Sequence, residues 1–180
     1  CGGGGGQAGT PMFNLPNLHA MIALLRDGFH PQREGGSLEL AGDRTPIIDY
    51  VINDYLWDGV RRSWLSMAEI QFAAGAKAVR ASHVDSPWFT SWEEAKAGIN
   101  ALEFRSNAFT AGSAHCMGGL TMGEDQTRCL VDSNGKYHHL DNLYVFDGSV
   151  FPTSIGANPQ LSIYGMACKQ ANKLLETLKA

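Results

Sequence analysis

Three short stretches in the last third of the chain bring chemically useful residue types into close spacing. His115 lies in Ser113-Ala-His115-Cys-Met-Gly118-Gly119, Asp147-Gly148 closes the run Asn142-Leu-Tyr-Val-Phe-Asp147, and Gly156-Ala-Asn158-Pro159 leads directly into an amphipathic segment. Histidine is the side chain best suited to exchange a proton near neutral pH. The small and glycine residues around it let the backbone approach a planar ligand closely. An Asp-Gly at a strand end offers backbone N–H groups and a carboxylate to hydroxyls or phosphates. An Asn-Pro at a helix start puts proline where its missing N–H costs nothing, and the partial positive charge of the helix end favours an anion held just outside it. Taken singly, each stretch has a structural alternative: a satisfied core histidine, an ordinary turn, and an N-cap. Together, and in this order, they describe a site.

The elements that must position these residues follow from periodicity. Ser37 to Leu40 and Pro46 to Tyr50, joined by a turn at Gly42-Asp-Arg44, read as a hairpin of two short strands. Asp54 to Ala76 carries Leu56, Val60, Trp64, Met67, Ala68 and Phe72 at helical spacing, and a long helix is expected to end near Gly75. After a loop from Ser82 to Thr90, Ser91-Trp-Glu-Glu94 fits a capping box opening a helix to about Phe104. Leu130 to Asp132 and Lys136 to His138 read as a second hairpin, its Asn134-Gly135 supplying positive φ, and Asn142 to Phe146 as a buried strand. In the closing segment Ile163, Met166, Ala167, Ala171, Leu174, Leu175 and Leu178 form one apolar face, expected to be core.

Composition narrows the function classes. The chain has 180 residues, 14 Lys and Arg against 18 Asp and Glu, and a net charge of −4. It contains no basic run or aromatic-basic stripe, so no nucleic-acid partner is expected. No stretch reaches the roughly 18 to 20 apolar residues a membrane span requires. Cys1, Cys116, Cys129 and Cys168 lack C-x-x-C spacing and are expected as reduced thiols, which leans toward the cytoplasm while leaving the compartment open. Gly4, Gly6 and Gly9 formally match G-x-G-x-x-G, but no strand precedes them, so residues 1–27 are expected to be a flexible leader and uncertain segment. The chain itself is expected to be a piece of a longer one.

From about Gly112 to Leu178 the chain resembles the C-terminal portion of the glucose-methanol-choline (GMC) family of FAD-dependent oxidoreductases. The resemblance rests on His115 to Gly123 as H-x-x-G-[GT]-x-x-M-G, on the Val-Asp hairpin, on Asn142 to Pro152 as N-L-[YR]-V-x-D-[GA]-S-[VL]-x-P, and on Gly156 to Pro159 as G-x-N-P. Its Gly118-Gly119 form and its Asn partner are nearest in pattern to cholesterol-oxidase-like and long-chain-alcohol branches. The resemblance implies an α+β fold: the mixed sheet and helices of the family's substrate domain, over 28–110, and a region completing the FAD site, over 111–180. The N-terminal Rossmann unit of the family has no counterpart in these residues. It also implies that His115 and Asn158 are a catalytic pair, and that Asp147, Gly148, Asn158 and Pro159 line FAD. In that reading His115 takes the hydroxyl proton of a small-molecule alcohol while the carbon gives hydride to flavin N5. The isolated polypeptide is expected to bind FAD poorly and to turn over little or nothing, because it offers one side of the site.

Two other readings compete. One is a non-catalytic remnant or interaction module. The other is a metal-binding domain built from His115, Cys116, Cys129, His138 and His139, although their spacing matches no zinc pattern and adjacent residues after a strand point to opposite faces.

Overall fold

A computed structural model describes residues 15–28, 30–31 and 35–179 of the chain. The glycine-rich leader and its Gly4, Gly6 and Gly9 lie outside the described residues. The fold is α+β, with one two-stranded antiparallel sheet and three α-helices among the described residues.

Strands β1 (Gly36–Leu40) and β2 (Pro46–Tyr50) pair in the register Gly36 to Tyr50 and Leu40 to Pro46. In the turn between them Arg44 takes the left-handed conformation, at φ 68°. The Asp43 carboxylate accepts the Thr45 N–H at 2.9 Å and stabilises that shape.

Helix α1 (Asp54–Ala73) starts where Asn53 accepts the Leu56 N–H at 3.1 Å. It stops in a Schellman arrangement: Gly75 at φ 91°, its N–H on the Phe72 carbonyl, and the Ala76 N–H on that of Gln71. Helix α2 (Trp92–Ala101) starts at Ser91, whose hydroxyl accepts the Glu94 N–H at 3.2 Å. The return half of the expected capping box is displaced by one residue, because Glu94 Oε2 accepts both the N–H and the hydroxyl of Thr90 at 3.0 Å. Val60, Trp64 and Ala68, four residues apart on α1, face Ala95 and Ile99 of α2 and the bridged pair Val79 and Phe89. This is the main core. Trp64 closes it with edge contacts to Phe109 and His83 and a tilted one to Phe104. His83 is a structural histidine: its Nδ1 accepts the Asp85 N–H, so the proton sits on Nε2, which donates to the Glu103 carbonyl at 3.0 Å.

The second half corrects two expectations. Residues 130–138 turn back on themselves, but as isolated bridges, Val131 to Tyr137 and Lys136 to Tyr144, rather than two strands. Asp132 Oδ1 takes the N–H groups of Asn134 and Lys136, and Gly135 alone has positive φ, at 79°. The turn is therefore a three-residue loop closed by a left-handed glycine. Asn142 to Phe146 is neither a strand nor buried; only the Tyr137 N–H to the Leu143 carbonyl and the Val145 N–H to the Gly135 carbonyl tie it down, too few for a ladder.

Helix α3 (Gln160–Lys179) spans the expected residues, but its apolar stripe is half-buried rather than core. Its one buried residue is Gln170, whose Nε2 donates to Met122 Sδ at 3.4 Å, while Leu175 and Leu178 are exposed. The packed centre here is the pair Val131 and Val150, joined through the backbone of 121–123.

Candidate active site

The loop from Ser113 to Gly123 owes its shape to two consecutive left-handed glycines, Gly118 at φ 84° and Gly119 at φ 90°. It then runs alongside the 3-10 turn Gly148–Val150, with the Leu120 N–H on the Ser149 carbonyl and the Met122 N–H on that of Val150. His115 is half-buried within this loop.

Gly148 is the meeting point. A β-carbon built on it would stand 2.9 Å from the Cys116 carbonyl oxygen and 3.2 Å from Ile163 Cδ1. The residue after His115 thus touches one side of Gly148, and the first turn of α3 touches another. Asp147 precedes it as the cap of the 3-10 turn, and its Oδ1 is engaged by the backbone N–H and hydroxyl of Ser149. That oxygen serves the local fold. The part of Asp147-Gly148 suited to a ligand is therefore the backbone and the outer carboxylate oxygen.

At α3 the first intrahelical bond runs from the Ile163 N–H to the Pro159 carbonyl at 2.9 Å. Pro159, buried, stands at the cap position one residue before where a first-turn proline is expected, and Asn158 lies exposed outside it. A capping role for Asn158 does not fit this geometry. No acidic side chain occupies the first turn of α3, so its partial positive charge is not answered from within the helix.

The structure therefore brings the Cys116 carbonyl, next in the chain to His115, and the Ile163 side chain of the first turn of α3 against Gly148, while Asp147 and Asn158 are exposed. A cleft of about 320 Å³ lies elsewhere, between Ser133-Asn134 and Lys169, Gln170 and Lys173 of α3. Two features would admit a flat group such as a flavin ring against this loop: the space around a β-carbon at Gly119 is open, and the nearest group to one at Gly118 is the Phe151 carbonyl at 3.8 Å. Among the described residues no three His, Cys, Asp or Glu side chains converge on a common point that could hold a metal ion. His138 Nε2 is instead bonded to the Gly123 carbonyl at 2.9 Å. Cys116, Cys129 and Cys168 are free thiols. No helix of the described residues is long and apolar enough to cross a membrane.

One contact was not legible in the sequence. Arg26 and Gly28 lie against the loop 153–156, more than a hundred residues away in the chain. The glycines at 28 and 156 mark it, but nothing in their spacing names the partner.

The family model for GMC oxidoreductase matches residues 31–167, and the chain belongs to that family. It is 37% identical over 84 residues to a 6'''-hydroxyparomomycin C oxidase of Streptomyces lividus, covering 47% of this chain and 15% of that protein. It is 26% identical over 161 residues to a long-chain-alcohol oxidase of Arabidopsis thaliana, covering 82% and 20%. It is 40% identical over 55 residues to a cholesterol oxidase of Acinetobacter baumannii, covering 31% and 10%. The matched stretch is thus no more than a fifth of the length of any of these three relatives.

Proposed function

We propose that this chain supplies the alcohol-handling wall of an FAD-dependent oxidoreductase acting on CH–OH groups, with residues 111–180 forming the wall and residues 28–110 a substrate-domain region. The observation that carries the reading is the junction at Gly148, where the His115 loop and the first turn of α3 are held against one glycine. FAD, when bound, supplies the hydride acceptor. His115 receives the hydroxyl proton on an imidazole nitrogen as the carbon–hydrogen bond breaks. Proton transfer of this kind contributes roughly a hundred- to ten-thousandfold. Asn158 would hold the alcohol oxygen from the other side, and Asp147, Gly148 and Pro159 are the residues whose backbone would line the cofactor. The names of the relatives, oxidases of hydroxyparomomycin, of long-chain alcohols and of cholesterol, support an alcohol as the substrate class.

The test is anaerobic mixing of the complete flavin-loaded enzyme of which this chain supplies the wall with candidate alcohols in a stopped-flow spectrometer. Bleaching of the flavin band, slowed when the carbinol hydrogen is replaced by deuterium, supports hydride removal from carbon. A flavin that no alcohol bleaches contradicts the reading.

A further inference from the structure

We propose that Arg26 is a positioning residue: by laying its guanidinium on the backbone of Gly156 it holds the loop that presents Asn158. Gly156 sits at φ 73°, and the space a β-carbon would need there is filled by Arg26, with Nη1 closest and Cδ and Cζ both at 2.9 Å. A planar, weakly hydrated guanidinium is suited to lie flat on such a bare stretch of main chain. Two residues on, Gly28 is buried against Thr153 Oγ1 and the Ser154 carbonyl, the latter 3.2 Å from a β-carbon built at 28. Leu25, the residue before Arg26, meets a different element: both its methyls lie 3.7 Å from the β-carbon position of Gly59 on α1. Residues 25–28 are therefore a strap, fastened by Leu25 to the helix that carries the main core and by Arg26 and Gly28 to the loop 153–156. The Gly156 N–H on Ser154 Oγ, at 3.2 Å, is a local bond and leaves Ala157 and Asn158 to be fixed from outside.

The structural claim stands by itself, and its effect on catalysis rests on the role proposed for Asn158. In the ¹⁵N-labelled 180-residue chain, Arg26→Ala should drop the backbone order parameters of Gly156 to Asn158 from the rigid range near about 0.85 to below about 0.6, with those of α1 unmoved. Arg26→Lys, which keeps a long cationic stem without the flat fork, should restore only part of the order. Order parameters unchanged in Arg26→Ala overturn the proposal. In the flavin-loaded enzyme Arg26→Ala should lower kcat about ten- to a hundredfold with flavin content unchanged, as expected when a reacting group is displaced. Asn158→Ala, measured alongside, separates the two claims. Full activity in Asn158→Ala with a loosened loop in Arg26→Ala removes the role of Asn158 and leaves the strap. A loss in Asn158→Ala with an intact loop and intact kcat in Arg26→Ala removes the strap and leaves Asn158.

Discussion

The carbonyl oxygen of Cys116 occupies ground that a β-carbon at Gly148 would need, 2.9 Å from its position, with Ile163 Cδ1 closing the other side at 3.2 Å. A backbone oxygen cannot swing aside as a side chain can. Gly148→Ala should therefore separate the His115 loop from α3 and cost about 1–3 kcal/mol, the usual range for overpacking. Urea unfolding measures it. A loss well under that range would mean that the junction is loose.

Gly98 makes the opposite case to an ordinary helix glycine. In a helix interior Gly→Ala gains up to about 1 kcal/mol. Here a methyl group would enter the ring of Phe89, whose Cζ stands 2.5 Å from the β-carbon position and whose side chain is buried in the main core. Overpacking of about 1–3 kcal/mol outweighs the propensity gain. Gly98→Ala should lower the melting temperature, and Gly98→Ala with Phe89→Leu should recover part of it.

Trp64 touches three ring systems within the core, and Trp64→Ala should cost about 3–5 kcal/mol. The site half of the molecule has its own small centre at Val131 and Val150. Amide exchange in the variant should accordingly rise sharply over 54–109 and less over 120–150.

The Glu94 carboxyl is held below the usual glutamate range, first by the Thr90 N–H and then by the Thr90 hydroxyl. A lowered pKa in the folded state means that this contact stabilises fully above the ordinary glutamate value and is lost as the pH falls through the lowered one. Thr90→Val should keep the backbone bond and remove the hydroxyl bond, so its difference from the parent should be seen near neutral pH and shrink in acid. Thermal unfolding at several pH values checks the sign. The exposed position makes the effect small.

Local rules carried most of the legible part. The Schellman end at Gly75 and the cap at Ser91 each depend on residues only a few positions apart, the hairpin over 36–50 pairs neighbouring segments across one short turn, and side-chain chemistry specifies all three. The approach of the loop that carries His115 to Gly148 was hinted at only by the family resemblance, since it joins segments some thirty residues apart. What failed, failed for want of partners. Asn142 to Phe146 has strand-forming residues but only bridge contacts at 135–137 to pair with, and the stripe on α3 sets Ile163 against Gly148 while the one buried residue of the helix, Gln170, meets Met122. The contact of Arg26 with Gly156 had no signal beyond the glycine itself.

The role of His115 is tested most directly by His115→Ala in the complete flavin-loaded enzyme, with alcohol oxidation and bound flavin measured on the same sample. A fall of about a hundred- to ten-thousandfold in kcat at unchanged flavin content is the expected result. Turnover within a few-fold of the parent, with flavin still bound, would contradict it.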